Sequence, residues 1–218
     1  MSIFLTPAEA QAIETRVAEL EASCGVEVVT LIVAKADVYP ETVWKAFALG
    51  AAIACLAATL VDLLRPDWVT ATAVLGTAIA ILAAGATCAL LTVYVPAFAR
   101  LFLRESRAAL EVQQYAKAQF LEREVFATPG RTGILLLVSL LERRIVILPD
   151  KGLRARVSAA EWDAVIARMA GALREGMTGA ALLDGLAGIS ELLVSKGFTC
   201  ATGTANLFAN TPIEDTGA

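Results

Sequence analysis

Asp150 follows the apolar run 145–149 and stands two residues before Gly152. A carboxylate at a strand end, beside a glycine that lets backbone approach closely, sits where open α/β sheets hold their ligands. Glu142, Asp37 and Glu41 fall in other loops and would add carboxylate oxygens. A hard cation such as calcium takes about six or more oxygens, some from carbonyls and water. These four residues are therefore the expected ligands of a divalent metal, calcium first. The competing reading gives Asp150 a local task, its side-chain oxygen capping a turn. Arg131, Arg143 and Arg144 are forked donors suited to phosphate, although charges at a hairpin turn serve equally for solvation or for anionic lipid head groups. Glu161 and Asp163 open a helix, where negative charge is favoured whatever the function. Trp162 reads as a core or interfacial residue.

The composition narrows the chemistry. The 218 residues include no histidine, which removes Ser-His and Cys-His pairs, imidazole metal ligands and the commonest general base. No residue is assigned a catalytic role. A formal charge of −4, with no dense basic face, argues against nucleic acid as a partner. Cys24, Cys55, Cys88 and Cys200 show no C-x-x-C spacing and read as unpaired structural thiols.

The elements that must position these groups divide into two kinds. Hydrophobic residues make up 57% of the chain and mean hydropathy is +0.67. The excess is concentrated in two stretches, 44–64 and 68–99, each long enough to cross a bilayer as a helix. Trp44 and Tyr94 would mark one interface of this hairpin and Trp68 the other, as membrane anchors. Small residues recur at helical spacing, Gly50, Ala54 and Ala58 in the first stretch and Gly76, Ala80 and Ala84 in the second. They suit packing of the two spans on each other or an oligomer contact. Neither span carries a central charge, so an ion pathway has no candidate residue. The second stretch exceeds the bilayer thickness, so its end near Pro96 is expected to emerge.

The flanks read as one α/β domain. Thr6-Pro7-Ala8-Glu9 is a capping box with proline at the first helical position. Residues 26–34, VEVVTLIVA, form a buried strand. Residues 100–125 carry apolar positions Val112, Ala116 and Phe120 on one helical face. Two apolar runs, 133–140 and 145–149, predict a β-hairpin. A helix capped by Ser158 and Glu161 follows, then another from Thr178 to Gly197. The residues from Thr199 onward are small and polar, and are expected to be loosely ordered. The fold class is α/β, a small mixed sheet with helices on both faces. The expected division is residues 1–42 and 100–198 as a discontinuous domain, 43–99 as the membrane hairpin and 199–218 as a tail.

The segment 131–166, RTGILLLVSLLERRIVILPDKGLRARVSAAEWDAVI, resembles the central motif of the TPM domain. There, a Gly-hydrophobic strand leads through an Arg-containing turn to a second strand, an acidic-x-Gly loop and a helix. Gly133, Arg144, Asp150, Gly152 and Trp162 carry the match. The opening helix and strand, 6–34, resemble that family's first α-β unit. The nearest likeness is to bacterial membrane proteins with two spans inserted after the first strand. In those, histidine often stands in the strand turn where this chain has Arg143. The resemblance implies an α/β/α sandwich and three roles: acid phosphatase activity, calcium binding in acidic loops, or accessory work for membrane complexes.

With no histidine and no charge in the spans, the accessory role leads. The expected molecule is a TPM-like domain on a membrane hairpin, scaffolding a membrane-associated complex through a membrane-protein partner and binding a divalent cation as a possible extra. A metal-dependent phosphatase and a calcium sensor are the alternatives. Lys35, Lys45, Arg100, Arg104 and Arg107 lie on the terminal side of the spans, against Arg65 in the turn. This charge bias puts both termini in the cytoplasm of a bacterial inner-membrane protein. A cysteine engineered between Asp62 and Asp67 is expected to react with an impermeant maleimide on intact cells; labelling only after permeabilisation would invert the topology.

Overall fold

The computed structural model describes residues 4–64, 70–199 and 207–217. The chain divides into two compact units, Met1–Asp37 with Ala108–Ala218, and Val38–Arg107. The first is α/β. Helix α1 (Pro7–Cys24) starts at the expected capping box, with Thr6 and Glu9 exchanging backbone hydrogen bonds, and ends on Gly25 at φ 63°. Strand β1 (Val28–Val33) is buried at every position. Helix α5 (Glu105–Glu122) has its apolar face at the expected Val112, Ala116 and Phe120. Strands β2 (Ile134–Ser139) and β3 (Arg144–Pro149) form the expected antiparallel hairpin. A short helix α6 (Lys151–Arg154) leads to α7 (Ala159–Arg174) and α8 (Thr178–Ser195).

The sheet runs β3-β2-β1-β4, where β4 is Ile213–Asp215. β1 is parallel to β2, with Val28 opposite Ile134, and parallel to β4, with Leu31 opposite Ile213. Alternation of side chains along the strands splits the core in two. Val28, Ile32, Ile134, Leu136 and Val138 pack with α1, α7 and α8. Val29, Leu31, Val33, Leu135 and Leu137 pack with Val112, Ala116 and Phe120 of α5. The result is an α/β/α sandwich around a small mixed sheet.

The end of the chain departs from the loose tail expected. Residues 207–217 are strapped to the sheet. Leu207 donates its N–H to Glu27, and the Glu214 carboxylate accepts the Phe4 and Leu5 N–H groups at 3.0 and 3.2 Å. Tyr115 donates to Asp215 at 2.8 Å. Burial pushes the neighbouring Glu21 carboxyl up to about 7, against the pull of its bond from the Val28 N–H and with Glu27 adding to the rise. Three residues of Ile-Glu-Asp carry no periodicity from which a strand is read; it forms because β1 offers a row of unpaired backbone groups.

The second unit holds α2 (Pro40–Leu64), α3 (Ala71–Tyr94) and the short α4 (Pro96–Arg100). Two of its helices, α2 and α3, are long and apolar enough to cross a membrane, and little of either is buried. Helix α8 of the first unit is also long and apolar enough, but it is half buried and its apolar face joins the core. The outer faces of α2 and α3 are apolar, with Ile53, Leu56, Ile79 and Leu82 exposed. Trp44 and Tyr94 are exposed as well, whereas Trp68 and the residues around it, Arg65 and Pro66 included, lie outside the described residues, as does Cys200. α3 stops at Val95, ahead of Pro96, which begins α4.

Of the two small-residue faces, part is at the helix contact. A Cβ on Gly50 would lie 2.7 Å from the Cys88 Sγ and 2.9 Å from the Ala84 carbonyl. At Gly85, which the small-residue pattern does not contain, a Cβ would come within 2.9 Å of the Phe47 ring. A Cβ on Gly76 would meet no neighbour within 4 Å among the described residues. Gly50→Val is therefore expected to destabilise the α2–α3 pair by about 1–3 kcal/mol through overpacking, and Gly76→Ala to be silent. Thermal unfolding in detergent, followed by circular dichroism, checks both; equal effects would contradict the packing.

Candidate functional site

The expected site residue Asp150 ends β3 and caps α6. Its carboxylate accepts the Lys151 N–H at 2.7 Å, while its own N–H donates to the Gly133 carbonyl. Arg131 reaches it with both arms of the fork, Nε to Oδ2 at 2.6 Å and Nη2 to Oδ1 at 3.0 Å. The loop that delivers Arg131 is tied by the Thr128 hydroxyl accepting the Thr132 N–H. Arg131 itself adopts φ 52°, and its guanidinium lies 5.6 Å over the Phe126 ring. Gly152 is required here: a Cβ would come within 2.5 Å of the Gly130 carbonyl and 2.8 Å of that of Arg131. On the far side Arg154 donates Nε to the Pro149 carbonyl at 2.7 Å.

Burial raises the Asp150 pKa, but the Arg131 bonds, the Lys151 N–H and the charges of Arg131 and Arg154 outweigh it and hold the carboxyl below its usual range. Asp150 is thus an anion at neutral pH, 2% exposed, with a bidentate cationic partner.

The other three candidate ligands are placed elsewhere. Glu142 lies at the opposite end of β3, roughly 20 Å away at the rise of a strand. It accepts the Ala36 N–H at 2.8 Å and the Ser139 hydroxyl, closing the β2–β3 turn. Asp37 ends the first segment of the α/β unit. Glu41 belongs to the other unit, where it pairs with Arg107 at 3.1 Å. Among the described residues, no group of three or more Asp, Glu, Cys or His is placed to hold a metal ion. Arg143 sits at φ 50° in the hairpin turn.

What the structure does assemble is a groove of about 1020 Å³ along β3, between α5 and the start of α7. Its floor is the strand, from Arg144 to Pro149. Ala109, Gln113, Lys117 and Leu121 of α5 line one wall, and Trp162, Asp163 and Ile166 of α7 the other. Charged groups around it are mostly cationic: Lys117, Arg131, Arg144 and Arg154 against Asp150 and Asp163. Trp162, 5% exposed, lines the groove, and its buried indole N–H has no hydrogen-bond acceptor among the described residues. Lys117 and Arg154 were not among the sequence candidates. The spacing of Gln113, Lys117 and Leu121, on the α5 face next to Val112, Ala116 and Phe120, was the available signal.

The family model for the TPM domain matches residues 69–192. The chain belongs to the TPM-domain family. Among curated proteins, none matches it. In solved structures, the fold is similar to the NMR structure of the BA42 protein from the psychrophilic bacterium Bizionia argentinensis. The TM-score is 0.59 at 15% identity, covering 98% of this chain and 97% of that one. The TPM segments that suggested the family become, in this structure, the β2–β3 hairpin, the Asp150 cap and α7.

Because the Asp150 pKa is lowered in the folded TPM domain, its contribution is complete above the unfolded value, about 3.9. It is lost as pH falls through the lower folded value. Asp150→Ala is expected to cost about 1–2 kcal/mol near neutral pH through the lost cap and charged hydrogen bonds, and the deficit should shrink below about pH 3.9. Urea unfolding at a series of pH values measures this; a deficit that grows in acid would refute the assignment.

Proposed function

We propose that this TPM-family protein is an accessory protein of a membrane-associated complex, anchored by the α2–α3 hairpin and docking its partner through the α/β unit. The observation that supports the reading most directly is the groove along β3, with an apolar wall, a cationic rim and an open strand edge. Such a groove suits a polypeptide, whereas the most buried candidate carboxylate, Asp150, already has a bidentate arginine partner. A divalent cation at Asp150 would have to displace that arginine and find further oxygens. The apolar outer faces of α2 and α3 support insertion in a bilayer, and the arginine and lysine bias of the flanks supports cytoplasmic termini. In a bacterium this membrane is the inner one.

The test uses the full chain extracted in mild detergent. On a native gel it is expected to migrate within a larger assembly, and Asp150→Asn to leave that migration unchanged. The same preparation is expected to release no phosphate from an aryl phosphate, with or without calcium, magnesium or manganese. Phosphate release that depends on Asp150 would replace the accessory reading with a phosphatase, and a cation-dependent rise in unfolding temperature lost in Asp150→Asn would favour a calcium sensor.

A further inference from the structure

β3 is the outermost strand of its side of the sheet. Its pairing with β2 sets which of its backbone groups are spoken for. Asp150 donates its N–H to Gly133, and the register opposes Leu148 to Leu135 and Val146 to Leu137. In an antiparallel pair, bonded and non-bonded positions alternate. Ile145 and Ile147 are therefore at non-bonded positions, and their N–H and C=O groups point away from β2, toward the groove they line. Among the described residues, no hydrogen-bond partner reaches those four groups. The ladder stops at Pro149, which has no N–H and whose carbonyl is held by Arg154.

We propose that this edge docks an extended, acidic segment of a partner protein, which adds to the sheet as a fifth strand beside β3. The inference rests on the accessory reading above and names its partner class. Backbone bonding along an exposed edge gives such a peptide affinity, and the walls on either side select its alternating side chains. Here the walls differ. Residues of the peptide that face α7 meet Trp162 and Ile166, and those that face α5 meet Lys117, the cation of a wall that also holds Gln113, Phe120 and Leu121. The preferred segment thus alternates apolar and acidic residues, with the acids toward α5 and away from Asp163. Arg144 and Arg154 at the two ends of the edge add to the attraction for carboxylates. The indole N–H of Trp162, buried without an acceptor, gains one from a peptide carbonyl or carboxylate. At the other margin of the same sheet, the segment Ile213–Asp215, itself apolar-acidic-acidic, is already paired to β1.

The probe is a fluorescein-labelled acetyl-Val-Glu-Val-Glu-Val-amide, titrated by anisotropy against the full chain in detergent. Its two controls replace glutamate by lysine or methylate alternate backbone nitrogens. The glutamate peptide is expected to bind at least tenfold more tightly than either control, since each good backbone bond or close charge pair is worth up to about tenfold. Added salt should weaken it. Binding should slow amide exchange at Ile145 and Ile147. Lys117→Glu, at an exposed position, is expected to weaken binding several-fold without changing the unfolding temperature. Ile145→Pro removes an outward N–H that β2 does not use and is expected to abolish binding. Equal affinity for the three peptides, no binding at all, or unchanged binding by both variants would overturn the proposal. Should Ile145→Pro still migrate with the larger assembly on a native gel, the accessory reading stands and the docking edge falls; should the wild type migrate alone while the peptide binds, the reverse holds.

Discussion

The α/β unit hangs on the burial of β1 between two parallel neighbours. All six of its residues are buried, and both of its edges are taken, by β2 along the whole strand and by β4 at its end. Burying a side chain such as Leu31 or Ile32 stabilises by about 2 kcal/mol. The alternation along β1 divides that stabilisation between the two faces, so that neither helical layer is dispensable. The strand also sets its neighbours' ends: Glu27 accepts the Ile134 N–H, Val33 and Ala34 accept those of Leu140 and Leu141, and Ala34 donates to Asp215. The buried Thr30 hydroxyl of this strand has no hydrogen-bond partner among the described residues.

From that frame the placement of Asp150 follows. β3 returns from its hairpin turn along the free edge of β2, since β1 holds the other, and it ends where the Gly133 and Arg131 loop passes. Gly152 lets that loop approach, Arg131 locks onto the carboxylate, and α6 begins. A TPM acidic-x-Gly loop in this chain is thus a clamp between two loops and a strand end. The same geometry leaves the outer edge of β3 without a neighbouring strand.

Much of this was legible in the chain itself, for identifiable reasons. The two capping boxes at Thr6 and Ser158, the β-branched run of β1 and the paired apolar runs of β2 and β3 are local signals whose physics acts within a few residues. The two apolar stretches became α2 and α3 on the same grounds. β4 was not legible, since three residues of no particular propensity become a strand only when an edge is waiting for them. Nor was the choice between Gly76 and Gly85, because a spacing of four marks a face without saying which face meets the partner helix. The groove was hidden for a third reason: Lys117, Arg144 and Trp162 are brought together by the sheet, and no short window of sequence holds them all. Arg131 and Asp150 were each visible, but as separate residues, and their pairing depends on the left-handed turn at Arg131.

The position of the hairpin between β1 and β2 has a consequence for how the protein is made. About a hundred residues separate Val28 from its partner Ile134, and both long apolar helices lie in that interval. On the ribosome β1 emerges well before β2, as a run of Val, Leu and Ile with bare edges, and must wait while α2 and α3 are synthesised. At about 5–20 residues per second, that interval is several seconds at least, long against the time a short chain needs to collapse. α1 is the one neighbour already synthesised, and its buried face of Ile13, Val17 and Leu20 can cover one side of β1 in the meantime. The early α1–β1 pair therefore acts as its own temporary cover until β2 arrives.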